Sequence, residues 1–120
     1  MTMQYRKFGN TDLLVSEIGF GTWAIGGTAS VGGIEIGWGP SDDSVSTAAI
    51  HTALDAGINF FDTADFYGLG HSESLLGNTI GNNKEVLVAS KVGQKIGADG
   101  KIASDIAAYI KDWVAVTPAF

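Results

Sequence analysis

Apolar residues recur along the chain in runs whose period switches repeatedly between two and about 3.6, the alternation expected when strands and helices follow one another. Tyr5 to Ile18 reads as two short extended segments joined at Gly9-Asn10-Thr11-Asp12, where Gly, Asn and Asp take turn conformations at low cost, so the chain is predicted to open with a β-hairpin. Val15 to Gly21 is predicted to continue as a strand, and Gly26 to Gly39 is so rich in glycine that it is predicted to be a long loop, a feature that often carries function. Ser41-Asp42-Asp43 supplies N-cap chemistry for a first helix, with Val45, Ala49, Ala53 and Ala56 on one stripe and Gly57 at its end. Ile58-Asn59-Phe60-Phe61 is a β-prone run, and Ser72-Glu73 is placed to cap a second helix through Leu75, Leu76 and Ile80 that stops at Gly81. Glu85 to Ser90 is an almost continuous apolar strand of the kind buried on both faces in parallel sheets. After a glycine-bearing loop, Ser104 to Val116 is predicted to be a third helix, with Ile102, Ile106, Tyr109, Ile110 and Trp113 at helical spacing.

The order of elements is therefore a hairpin followed by three βα units, which calls for an α/β fold with a parallel sheet and helices packed outside it. No internal repeat beyond this unit and no linker divides the chain, so residues 1–120 are expected to form one domain.

Composition narrows the function. The net charge of -6 offers no cationic surface for phosphate backbones, which argues against nucleic acid and equally against a membrane surface. With no cysteine and only His51 and His71, neither a disulfide framework nor a metal centre is expected. Met1 to Asn10 holds no apolar stretch suited to a signal peptide, and nowhere do about 18 apolar residues run together, so a cytoplasmic location is expected.

Three polar residues fall at or just beyond the carboxyl ends of predicted strands, where both barrels and open α/β sheets place their active sites. Asp62 follows Phe60-Phe61, Tyr67 comes five residues later, and Lys91 closes the third strand. Singly, each has an ordinary role open to it: Asp62 satisfying a strand end, Tyr67 packing its ring, Lys91 reaching to water. Together they can do more, since an ammonium held beside a phenol stabilises the phenolate, and a carboxylate keeps that ammonium charged and oriented. Such a trio is able to donate a proton to a carbonyl oxygen.

The motifs around these residues resemble the aldo-keto reductases. The resemblance rests on Gly19-Phe20-Gly21-Thr22-Trp23 after the hairpin, on Asn59-Phe60-Phe61-Asp62-Thr63-Ala64-Asp65-Phe66-Tyr67-Gly68, on His71-Ser72-Glu73 with Leu75-Leu76-Gly77, and on Ala89-Ser90-Lys91-Val92, over roughly residues 3–93. It implies the N-terminal portion of a (β/α)8 TIM barrel, reduction of a small carbonyl substrate with NADP(H), and a tetrad in which Tyr67 is the general acid, Lys91 strengthens it and Asp62 pairs with the lysine. It also implies that Gly21, Thr22, Trp23 and Asp62 line the nicotinamide side of the pocket, although Trp23 has ordinary core packing as an equal alternative. The family's tetrad histidine sits on a fourth strand and its cofactor phosphate contacts on the last strands, and nothing after Lys91 resembles either. A full barrel takes about 250 residues. The expectation is thus an incomplete barrel, inactive by itself, with a catalytically silent piece that self-associates through exposed sheet edges as the alternative. Gly19-x-Gly21-x-x-Ala24 also fits a dinucleotide fingerprint, but Ile25-Gly26-Gly27-Thr28 is poor material for the helix that such a motif must open into.

Overall fold

A computed structural model describes residues 2–93, together with the backbone of residues 95–96 and 102–103. Its elements in chain order are β1 (Tyr5–Lys7), β2 (Leu14–Ser16), β3 (Phe20–Gly21), β4 (Ser30–Val31), β5 (Ile34–Glu35), α1 (Asp43–Asp55), β6 (Phe60–Asp62), α2 (His71–Ile80), β7 (Leu87–Ala89), β8 (Lys95–Ile96) and β9 (Ile102–Ala103).

The opening hairpin forms as expected. Tyr5 pairs with Ser16 and Lys7 with Leu14, and Gly9 takes a φ of 56° in the turn. The hairpin sits beneath the parallel sheet, with Phe8 against Phe60 at a ring separation of 5.7 Å and the Tyr5 hydroxyl donating to Gly57 O at 2.8 Å.

The expected strand Val15 to Gly21 is broken in two. Asn59 causes the break: it takes the Ser16 amide on its side-chain oxygen at 2.8 Å and donates its side-chain N–H to Leu14 O at 2.9 Å. The Ser16 hydroxyl accepts from Asn59 N at 3.1 Å and donates to Ile18 O at 2.7 Å, so the backbone leaves the hairpin ladder after Glu17, whose N–H still donates to Gln4 O at 2.9 Å. It turns instead into β3, which joins a three-stranded sheet in the order β3-β6-β7, with parallel pairing of Phe20 to Phe61 and of Phe61 to Val88.

Both α-helices among the described residues lie on one face of this sheet. Phe61 is fully buried on that face among Ile50 of α1, Leu76 of α2, Ile25 and Ala53. Helices on one face only, with strands ordered as in the sequence, are what the start of a (β/α) barrel requires, whereas a doubly wound sheet covers both faces. The other face carries Phe60, Asp62 and Ala89 by the two-residue alternation of strands.

Five expectations about local structure are corrected. The glycine-rich stretch is not loop throughout, because β4 and β5 form a small hairpin turned at Gly32 and Gly33, whose φ values of 58° and 80° suit a two-residue turn. α1 starts under Asp42 as expected, its carboxylate accepting from Ser44 N at 2.8 Å and Val45 N at 3.2 Å. Its buried stripe, however, is Ser46, Ile50 and Ala53, and Val45 is 65% exposed. Burying the large Ile50 outweighs burying Val45 with small alanines, since the gain follows apolar area. α2 is not capped by Ser72; Gly70, at φ 93°, stands at the N-cap and Ser72 lies inside the helix, while Gly81 ends it as expected. β7 is not covered on both faces, since it is the edge of the described sheet and Val88 is 44% exposed. The third helix, Ser104 to Val116, lies outside the described residues, and Ile102, expected to share its helical register, instead pairs with Ile96 in the antiparallel β8–β9 pair.

Candidate active site

The carboxyl ends of β3, β6 and β7 bring Thr22-Trp23, Asp62-Thr63 and Ser90-Lys91 to one rim of the sheet. Cross-strand bonds hold this rim together: Thr22 N donates to Asp62 O at 2.9 Å, and Thr63 N to Ala89 O at 2.8 Å. Tyr67 enters from the turn between β6 and α2.

Lys91 is the centre of the arrangement. Its ammonium lies 2.8 and 2.7 Å from the two Asp62 carboxylate oxygens, 2.9 Å from Thr63 O and 3.1 Å from the Tyr67 hydroxyl. Three protons serve four oxygens, so one is shared across the carboxylate. The three residues singled out in the sequence are therefore one hydrogen-bonded cluster. Thr63 O, a further ligand of the ammonium, is a backbone group that no side-chain pattern could have signalled. Desolvation opposes the charge on Lys91, but its hydrogen bonds to Asp62 and Tyr67 and the attraction of the Asp62 carboxylate more than offset this, and its pKa lies above the ordinary lysine value.

The sign of that shift predicts a pH effect. A raised folded-state pKa contributes stability that is fully present below the unfolded lysine value of about 10.4 and is lost as pH rises through the higher folded value. Chemical denaturation of the chain between about pH 9 and pH 12 is expected to show this alkaline loss, and Lys91→Met is expected to flatten it relative to wild type. An identical alkaline slope in the variant would show that the pair adds no linkage. The lysine side chain is 52% exposed, so the effect is a screened one.

Aromatic side chains wall the cluster. Trp23 stacks on Tyr67 with ring centroids 5.5 Å apart and planes 10° from parallel, and Trp38 meets Trp23 edge-on at 5.9 Å. The Trp23 indole N–H donates to Ile36 O at 3.3 Å, tying the β4–β5 segment to the rim. Trp38 was missed in the sequence; a tryptophan isolated among glycines was the available signal.

Two hollows flank Tyr67. One, about 340 Å³, is lined by Ala64, Phe66, Tyr67, Lys91 and Val92 among others. The other, about 320 Å³, is lined by Gly21, Thr22, Trp23, Ala24, Trp38, Asp62 and Tyr67. Gly21 faces open space, with nothing within 4 Å of where a Cβ would stand. Thr22 differs from the pocket-lining expectation in its side chain, which is fully buried, donating its hydroxyl to Asp62 O at 3.0 Å and accepting from Ser72 at 2.8 Å. Its contribution to the hollow is a wall.

Tyr67 owes its position to a backbone interlock. A Cβ on Gly26 would stand 2.8 Å from Gly68 N, and one on Gly68 would stand 2.1 Å from Gly26 O. The turn carrying Tyr67 is thereby pressed against the turn that follows Trp23. That second turn, Ala24–Gly26, is one short 3-10 turn and not a helix, so the dinucleotide-fingerprint reading is removed. Neither histidine joins the cluster: His71 begins α2 and bonds Asp43 through Nε2 at 2.8 Å, and His51 is exposed on α1. Among the described residues no group of three or more His, Cys, Asp or Glu side chains could hold a metal ion, and no helix is long and apolar enough to cross a membrane.

Known proteins share this chain's sequence and geometry. The aldo-keto reductase YhdN of Bacillus subtilis is 41% identical over 92 residues, covering 74% of this chain and 25% of its own length. The chloroplastic pyridoxal reductase of Arabidopsis thaliana is 44% identical over 92 residues, covering 66% and 23% respectively. Among solved structures, the aldo-keto reductase AKR11C1 from Bacillus halodurans, a holo form, superposes with a TM-score of 0.73 at 30% identity, over 94% of this chain and 34% of that one. The glycerol dehydrogenase AKR11B4 from Gluconobacter oxydans gives 0.70 at 35% identity, over 92% and 33%. The chain spans about a quarter of the length of the two curated relatives and a third of the two solved structures. It has the fold of the N-terminal portion of an aldo-keto reductase barrel. Residues 17–114 match the model of the aldo/keto reductase family, and the chain belongs to that family.

Proposed function

We propose that this chain supplies the proton-donating part of a carbonyl reductase site that works with NADP(H). The observation that carries this is Lys91 Nζ bonded at once to both oxygens of Asp62 and to the Tyr67 hydroxyl. In the proposed reaction Tyr67 donates its proton to the carbonyl oxygen as negative charge develops there. Lys91 stabilises the phenolate left behind, and Asp62 holds Lys91 charged and pointed at the phenol. The reduced nicotinamide, when bound, supplies the hydride received by the carbonyl carbon.

The residues present fit the nicotinamide end of such a cofactor. The hollow of about 320 Å³ has an open glycine at Gly21 and aromatic walls at Trp23 and Tyr67, which suit a planar ring. Among the described residues no cation lines it, so these residues do not serve a phosphate there. Gly21, Trp23 and Asp62 would hold the ring, with the buried Thr22 as part of the wall. Preference for NADP(H) over NAD(H), and a histidine completing the tetrad, rest on the family resemblance alone. The names pyridoxal reductase and glycerol dehydrogenase, borne by relatives, support a small carbonyl or hydroxyl compound as substrate. A second reading, a silent piece that associates with copies of itself, is favoured by β7 being the edge of the described sheet, with Val88 exposed on it.

One assay separates the two. A barrel-length protein carrying these residues is expected to oxidise NADPH with simple aldehydes. The 120 residues alone are expected to bind NADPH at a Kd of about 1 mM or weaker, roughly −4 kcal/mol, with no turnover. The reason is geometric: a site held more loosely than about half an ångström loses its advantage. Absence of aldehyde-dependent NADPH oxidation in the barrel-length protein would remove the reductase reading. Micromolar binding by the 120 residues would remove the silent one.

A further inference from the structure

The site's three strand ends are tied to a single turn of helix. Ser72, fully buried, donates its hydroxyl toward Thr22 O and Thr22 Oγ1, both at 2.8 Å, just beyond β3. The same hydroxyl lies 3.3 Å from that of Thr63, which is buried just beyond β6. The next residue, Glu73, accepts a short hydrogen bond from the Ser90 hydroxyl just beyond β7. Each residue gripped is a neighbour of one that forms the site: Thr22 of Trp23, Thr63 of Asp62, Ser90 of Lys91. Thr63 also holds the lysine directly, through its carbonyl at 2.9 Å.

The hydroxyls form a directed chain. Thr22 spends its proton on Asp62 O, so it accepts from Ser72, and Ser72 in turn is free to accept from Thr63. Thr22 and Ser72 then each donate and accept, Thr63 donates, and no charged group is needed to satisfy them. The chain runs in one direction, from Thr63 through Ser72 and Thr22 to Asp62 O, which suits it to setting distances.

We propose that Ser72 and Glu73 are positioning residues of this site: the first turn of α2 holds the ends of β3, β6 and β7 in the register at which Lys91 reaches Asp62 and Tyr67 together. Neither residue touches the proposed reacting atoms. The proposal rests on the reading of Asp62, Tyr67 and Lys91 as one working cluster. Its test reads the lysine itself, so failure of this proposal and failure of the reductase assay are distinguishable.

The test uses a barrel-length protein carrying these residues, labelled with 13C and 15N lysine, with the Lys91 signal assigned by its loss in Lys91→Arg and its titration followed by NMR. Glu73→Ala removes the acceptor for Ser90 and is expected to lower the proton affinity of Lys91 about threefold, roughly half a pH unit. Glu73→Gln removes the charge and keeps an acceptor oxygen, and is expected to leave the Lys91 titration at its wild-type midpoint. Ser72→Ala is expected to shift Lys91 in the same direction as Glu73→Ala. Should Ser72→Ala fail to fold, the Glu73 pair still decides. An unchanged Lys91 midpoint in Glu73→Ala would overturn the proposal, because the turn would then serve only packing. Equal shifts in Glu73→Ala and Glu73→Gln would also overturn it, because charge alone would account for the effect.

Discussion

Tyr67→Phe, in a barrel-length protein carrying these residues, is expected to lower the kcat of carbonyl reduction by about 10²- to 10⁴-fold, the usual contribution of a positioned general acid. NADPH affinity is expected to change little. The substitution removes one oxygen and its proton while leaving the ring, and the ring is what stacks on Trp23 at 5.5 Å. The wall of the hollow therefore survives. Lys91 loses one of its four oxygen partners but keeps Asp62 and Thr63 O, so the ammonium stays in place. A loss confined to kcat is the signature of an interaction made in the transition state and not in the ground state. Steady-state kinetics with a simple aldehyde, alongside NADPH titration by nucleotide fluorescence, make the comparison. Retention of full kcat by Tyr67→Phe would assign the acid elsewhere.

Gly68→Ala is expected to destabilise the chain itself by at least about 2 kcal/mol, a fall of roughly 8 to 16 °C in Tm for a domain this small. Two causes add. Gly68 has a φ of 60°, a conformation in which a Cβ is strained, and the added carbon would stand 2.1 Å from Gly26 O, well inside contact distance. One of the two turns must move, and Tyr67 is joined directly to Gly68. Gly70→Ala provides the control, because Gly70 has a φ of 93° but nothing within 4 Å of its would-be Cβ. It bears strain without the clash. Thermal unfolding followed by circular dichroism is expected to place Gly68→Ala below Gly70→Ala, and equal losses would show that the interlock between residues 26 and 68 contributes nothing.

Much of the site was legible before the fold. Asp62, Tyr67 and Lys91 could be named from their places at strand ends and from their motifs, because strand position and residue type are both written locally. The opening hairpin, the stop of α2 at Gly81 and the cap of α1 at Asp42 were legible for the same reason: turn and cap preferences depend on a few adjacent residues. The resemblance in residues 3–93 likewise identified the family from short stretches of sequence.

What the sequence left open was settled by contacts between distant residues. Whether α1 buries Val45 or Ile50 was decided by Phe61 and Leu76, which only tertiary packing brings to that helix. Where the strand after β2 breaks was decided by Asn59, more than forty residues away. Ser72 has the chemistry of a cap and was expected to be one, but its hydroxyl bonds Thr22, fifty residues earlier, because folding places β3 beside the start of α2. The sequence by itself determined which residue types stand at the strand ends and in what order the elements come, since both follow from local pattern. Only the tertiary structure decided that Lys91 meets Asp62 and Tyr67 at hydrogen-bonding distance, because that meeting depends on the register of three parallel strands, and long-range strand pairing has no local signature in the chain.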